Sequence, residues 1–257
     1  MTTTGSEPTA AVPAGPAWAR RPNNLAKAVT AELVERVVRG VHPPGTALPP
    51  EPVLCGMFSV SRTVVREAVK VLQEKGLVQV RQGAGTTVNP VVAWNMLDEM
   101  VLAATIAEDE SLAILDDLVV TRRLLESDMA QVAARTADGA TLDQLRALVD
   151  RMDGLVHDPV AYREQDRAFH DTVMRASGNR IARGVIRALE SQVATEAGYV
   201  GVSGRDLCEA SNRGHRRVYE RIAAGDGVGA AGAMFTHITE AWLVRRAAAG
   251  DPGRLQR

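Results

Sequence analysis

Asp166, His170, His215 and His237 are spaced so that one carboxylate and three imidazoles could gather around a single metal ion. Asp166 and His170 stand four apart within PVAYREQDRAFHDTVMRAS, a helical run, so both side chains leave the same face. His215 and His237 flank the turn Gly225-Asp226-Gly227, ten residues before its start and ten after its end. If antiparallel helices flank that turn, both histidines sit about 15 Å from it at ~1.5 Å per residue, level with each other. Carboxylate oxygen with imidazole nitrogen suits Zn, Ni, Mn or Fe rather than Ca or Mg, and four protein ligands can leave one or two positions open. A helical Asp/His pair alone is more often a surface or capping feature. The symmetric second pair is what favours a site.

These residues need a helical frame, and the composition supplies one. The chain has 257 residues, 46% hydrophobic and 24% charged, with only 4% aromatics and long segments rich in Ala, Leu, Val and Arg. That is enough chain to bury a core in one or two domains, and it favours helices over a β-sandwich. The formal net charge of −1 argues by itself against a nucleic-acid binder, but its distribution does not. Residues 20–90 carry 10 positive and 5 negative charges, whereas residues 91–257 carry 20 and 25. A basic front part joined to an acidic rear part is the asymmetry expected when only one of them meets phosphate. Cys55 and Cys208 are too few and too isolated for a disulfide framework or a thiolate metal site, which fits a reducing cytoplasm. Residues 1–22, rich in Thr, Ala, Pro and Gly, read as a disordered tail rather than a signal peptide, and residues 251–257 as a short C-terminal tail. No apolar run approaches the ~18 residues that span a bilayer, so no membrane partner is expected.

Residues 23–90 predict three helices and a hairpin. Leu25, Val29, Leu33, Val34, Val37 and Val38 recur at helical period, and Gly40 offers a stop. Pro43-Pro44-Gly45 makes a turn, and Pro49, Pro50 and Pro52 confine a short second helix to a start near Pro50 and an end near Phe58. Ser61 can cap a third helix, with Val65, Ala68, Val69 and Leu72 inside and Arg62, Arg66 and Lys70 outside. Leu77 to Arg81 and Thr86 to Val88 alternate as strands around a Gln82-Gly83-Ala84-Gly85 turn. The fold class is therefore mainly α: a winged helix-turn-helix, then about seven helices over residues 91–250, broken at Gly-, Pro- and Asp-rich points.

A recognition helix must present short polar and cationic side chains from its first turns to the major groove. Ser61, Arg62, Thr63, Val64 and Arg66 make up that N-terminal stretch, and Gln82 and Gly83 form the wing tip. Spaced charges on a helix can equally be a solvated face. The string GTALPPEPVLCGMFSVSRTVVREAVKVLQEKGLVQVRQGAGTTV, however, closely resembles the DNA-binding domain of the GntR family of bacterial transcriptional regulators, over residues 25–88. The family's pattern is a Gly, then Leu-Pro, Val-Ser-Arg-Thr, Arg-Glu-Ala and Leu, then a Gly-Leu-Val strand and a glycine wing. Two positions depart from it: Pro50 replaces the usual capping Ser or Thr, and Pro52 replaces an arginine that often meets phosphate. The resemblance implies a homodimer on a palindromic double-stranded DNA operator.

Residues 92–249 resemble the all-helical ligand-binding domain of the FadR branch, known as the FCD domain, in which an Asp and His four apart and two later His 22 apart hold a metal. All four positions match here. The resemblance also places Arg122, in an R-x-x-x-E pattern with Glu126, where an arginine often meets a carboxylate effector; spacing alone allows an i,i+4 ion pair with Glu126 equally well. Asn179 reads as a helix cap or an effector contact, and Asn212, three before His215, as a partner for a ligand hydroxyl. The segment GTTVNPVVAWNMLDEMVLA resembles the linker of members that respond to sugar acids, although Trp94 and Leu97 would serve equally as packing. A ligand-responsive repressor released by a small hydroxy acid, a sugar acid favoured, is the resulting expectation. A metal-dependent enzyme is the rival reading, and a DNA-binding regulator with a purely structural metal is a third. Against the enzyme, no further carboxylate or histidine stands at a recognisable spacing to act as general base, and residues 25–88 would have no purpose.

Overall fold

Proline placement and helical periodicity shape the front of the chain. The computed structural model describes residues 21–81, 83, 85–193 and 204–248, and the chain divides into two units at Trp94/Asn95. In the first unit α1 (Arg21–Val38) buries Val29, Leu33, Val34 and Val37. Its successor α2 (Glu51–Phe58) follows Pro50, with Pro52 in its first turn where no N–H is missed. No side chain caps it, in keeping with the loss of the usual hydroxyl at Pro50. Ser61 caps α3 (Arg62–Glu74), accepting from the Val64 N–H, and Val65, Ala68 and Leu72 face the core. Strands β1 (Val78–Arg81) and β2 (Gly85–Val88) pair antiparallel from Val78/Val88 to Arg81/Gly85.

The sheet also takes in a segment that reads from sequence as a plain turn. The N–H groups of Gly45 and Leu48 donate to Val88 O and Thr86 O, and the Val88 N–H donates to Thr46 O, so residues 45–48 line the outer edge of β2. The linker residues are structural. Trp94 is buried with its Nε1 donating to Asn89 O, and Asp98 caps α4 by accepting from the Met100 and Val101 N–H groups. Leu97 stays exposed, so it packs no added helix.

The second unit is helical throughout its described residues: α4 (Glu99–Ala107), α5 (Ala113–Thr136), α6 (Gly139–Gly154), α7 (Pro159–Ala176), α8 (Arg180–Val193), α9 (Arg205–Ala223) and α10 (Gly227–Ala248). Aspartates start several of them. Asp138 caps α6 and Asp158 caps α7, each carboxylate taking up first-turn N–H groups that would otherwise lack partners. Asp226 does the same for α10 through Gly229, closing the turn between α9 and α10. Helix α10 packs along both α5 and α9, and the shared core runs through Leu118, Val119, Leu145, Phe169, Val218 and Trp242. None of the described helices is long and apolar enough to cross a membrane.

One buried charge joins the end of α10 to the start of α5. Arg246 Nη1 lies 2.9 Å from Asp116 Oδ2, and Trp242 Nε1 donates to Asp116 Oδ1 at 2.7 Å. Removing one partner of a buried pair strands the other charge, at a cost of about 3–5 kcal/mol. Asp116→Ala is expected to lose stability on that scale in chemical denaturation. Asp117→Ala, one residue on and exposed, should change it by less than about 0.5 kcal/mol.

Candidate metal centre and DNA-reading face

Helix α7 contributes Asp166 and His170 one turn apart, α9 contributes His215 and α10 contributes His237. Their donor atoms all lie within 4.8 Å of one another. His215 Nε2 stands 3.3 Å from His170 Nε2 and 3.2 Å from Asp166 Oδ1, and His237 Nε2 stands 3.2 Å from His170 Nε2. Adjacent donors held ~2.0–2.1 Å from one ion are separated by about 2.9 Å in an octahedral shell and 3.3 Å in a tetrahedral one. The residues therefore fit a transition metal. The hairpin logic holds as well, because the His215 and His237 rings lie level, with centroids 4.2 Å apart.

That proximity demands a glycine. A Cβ on Gly214 would collide with the His237 ring at Nδ1, so the residue before His215 must lack a side chain for α9 and α10 to approach.

Electrostatics prepares the ligands. Burial lowers His215 and His237, and for His237 the neighbouring imidazoles lower it further, so both stay neutral near pH 7 with a lone pair to offer. Burial would also lower His170, but Glu126 outweighs it and the net direction is up. His170 Nδ1 lies 2.6 Å from Glu126 Oε2, an acceptor, so Nδ1 carries the proton and Nε2 is turned to the ligand cluster. Glu126 itself would be raised by burial, yet Arg122 and His170 hold it down at about 2. Burial likewise opposes ionisation of Asp166, but its contact with His215 and the fields of the three histidines keep it a carboxylate. On the far side of His215, Nδ1 stands 3.5 Å from the Tyr162 hydroxyl.

A cavity of about 160 Å³ opens beside Asp166, His170 and His237. Its walls include Leu118, Val119, Tyr162 and Trp242, with Arg122 and Glu190 next to the histidines. Arg122 is clamped, Nε to Glu126 Oε1 at 2.7 Å and Nη2 to Glu190 Oε1 at 3.1 Å. The i,i+4 pair and the placement on the cavity wall thus hold together. Glu126 is the residue that sequence reasoning undervalued: it entered only as a partner for Arg122, and its bond to His170 crosses 44 positions of chain.

Two expectations are corrected, and for Asn179 the cap reading holds while the effector contact does not. Asn179 Oδ1 accepts from the Ala182 N–H and caps α8, outside the cavity. Asn212 turns to α6, its Nδ2 donating to Val149 O at 3.0 Å and Asp153 Oδ1 at 2.6 Å, and so does not reach the cavity either. Val64 is buried, because its place in α3 falls on the core side, and its side chain cannot meet DNA. Ser61, Arg62, Thr63 and Arg66 are exposed at the start of α3, with Arg66 Nε 3.0 Å from Glu51 Oε2 on α2. Gly83 turns the hairpin at φ +78°, and Gln82 lies outside the described residues.

Residues 25–88 match the bacterial regulatory proteins of the gntR family, and residues 117–240 match the FCD domain. An uncharacterized HTH-type transcriptional regulator of Escherichia coli K12, YieP, is 35% identical over 158 residues, covering 61% of this chain and 69% of that protein. The chain belongs to the GntR family, in its FadR branch. This GntR-family chain is thus a DNA-binding transcriptional regulator, and its relatives are regulators rather than enzymes. The galactonate operon transcriptional repressor of E. coli K12 is 27% identical over 217 residues, 84% of this chain and 94% of that one. A solved structure of Lar, which controls expression of the Listeria monocytogenes agr system, shares the fold with a TM-score of 0.57 at 19% identity, covering 87% of this chain and 97% of that one.

Gly214→Ala is expected to push the His237 ring aside and weaken divalent-metal uptake about tenfold or more, read by competition with a chromogenic chelator. Gly232→Ala, on α10 in open space, serves as the control and should leave uptake unchanged. Equal uptake by both variants would remove His237 from the ligand set.

Proposed function

We propose that this GntR-family regulator is a repressor that binds a palindromic operator as a homodimer and releases it when a small hydroxy acid, a sugar acid favoured, occupies the metal-lined cavity. The observation that carries the reading is the convergence of Asp166, His170, His215 and His237 into one cluster, three of whose members, Asp166, His170 and His237, line a cavity that also holds a clamped arginine. A bound divalent ion would supply positive charge that receives a carboxylate. The chain's own residues then do the sorting. Arg122, fixed by Glu126 and Glu190, offers donors in a plane suited to a carboxylate, and the apolar walls exclude water that would screen the contact. An anion entering such a space needs paired positive partners to offset its desolvation. The preference for a sugar acid rests on likeness to the galactonate repressor over most of both chains, and on the linker sequence.

At the DNA end, Ser61, Arg62, Thr63 and Arg66 are the groups proposed to meet the operator, with the hairpin turn at Gly83 beside them. Losing one specific arginine contact costs about 1–3 kcal/mol. Arg62→Ala and Arg66→Ala should each weaken operator affinity by about 5–150-fold in fluorescence anisotropy at fixed salt; unchanged affinity in both overturns the assignment.

The effector is tested on the same complex. Metal-loaded protein should release operator on addition of an aldonate or uronate, and metal-stripped protein should not, with a coupling of about 1–3 kcal/mol. Release that is insensitive to every acid while metal still raises the melting temperature would make the metal purely structural.

A further inference from the structure

The effector reading accounts for one acid group and leaves part of the cavity wall unexplained. At the metal end, Arg122 and a divalent ion supply three positive charges against the carboxylates of Asp166, Glu126 and Glu190. Those charges balance before any effector enters. Three further arginines line the same cavity: Arg163 and Arg167 from α7 and Arg245 from α10. Of the other acids there, Glu240 is engaged by Arg217 at 3.1 Å. Arg163 and Arg167 form no ion pair among the described residues.

Their register on α7 fixes where a second anion would sit. Pro159, Tyr162, Arg163, Asp166, Arg167 and His170 make one continuous cavity-facing stripe. Arg163 stands one turn before Asp166 and two turns before His170, about 5 and 10 Å away along the axis at ~1.5 Å per residue. An acid of about four to six carbons bridges such a span at roughly 1.5 Å per C–C bond. The Arg245 and Arg163 charges both act on the cavity-lining Cys208 thiol of α9, opposing the upward push of burial and of Asp166.

Resting on the effector reading above, we propose that the effector is a dianion, a polyhydroxy acid whose far end carries a second acid group received by Arg163 with Arg167 beside it. The shared chemistry is a second anionic terminus, either a carboxylate as in an aldarate or a phosphate as in a terminally phosphorylated aldonate.

The test is isothermal titration of metal-loaded, full-length protein with three acids of equal carbon number: an aldonate, the matching aldarate and the terminally phosphorylated aldonate. One of the two dianions is expected to bind about tenfold or more tighter than the aldonate, and which one does so identifies the second group. In Arg163→Gln that advantage should vanish while aldonate affinity stays within about twofold, and Arg167→Gln should reduce it partway. Half-exposed Arg163 and exposed Arg167 can be replaced without disturbing the core, which an unchanged melting temperature verifies. An aldonate that binds as tightly as both dianions, or an Arg163→Gln variant that weakens all three equally, overturns the second subsite and leaves the metal-bound acid standing. If none of the three binds, the effector reading itself falls and this proposal with it.

Discussion

Four electron-pair donors aimed at one point repel one another, and the second unit is organised around tolerating that arrangement. The Nε2 atoms of His215 and His237 both lie within 3.3 Å of His170 Nε2, and lone pairs so placed gain nothing from their mutual contact without a proton or cation between them. Their positions are enforced from outside. Glu126 holds His170 from behind, Tyr162 stands behind His215, and the missing side chain at Gly214 lets His237 close in. A bound cation would give all four donors one common partner, which would couple ordering of the site to metal uptake.

The same supports tie the ligand cluster to the cavity. Glu126 is shared: one oxygen orients His170 and the other fixes Arg122, whose remaining face meets Glu190. A change at Arg122 is therefore felt at His170 through a single carboxylate. Trp242 has a comparable double position, lining the cavity while its indole N–H is bound to Asp116 at the head of α5. The cavity wall is continuous with the buried charge that fastens α10 to α5.

What was legible in the sequence follows from how local each signal is. The cap at Ser61, the proline-bounded α2 and the Asp166/His170 pair are contained within a few residues, and the α9–α10 hairpin needed only a count on either side of Gly225 to Gly227. Glu126 was invisible as a histidine partner because its contact spans two helices, and nothing in α5 alone points to α7. Asn212 shows the converse error. Its spacing from His215 suggested one shared face, but three residues of helix leave about 60° between side chains, enough for α6 to capture the amide. Val64 failed for the same reason at the start of α3, and the edge pairing of residues 45–48 is hidden by prolines that read only as a turn.

The contact between Arg66 and Glu51 bears on how the reading helix responds to its ionic surroundings. A bare arginine that reaches DNA displaces about one condensed counterion from the phosphates, which is the origin of steep salt dependence. Arg66, one of the groups proposed to meet the operator, already has a carboxylate partner, both oxygens of Glu51 lying 3.0–3.1 Å from its Nε. Salt that weakens the arginine's hold on DNA weakens its tether to α2 as well, and the two losses partly cancel. Arginine that swaps a protein partner for a nucleic-acid one contributes discrimination between sites more than raw attraction, since only a well-placed base or phosphate oxygen can outbid Glu51.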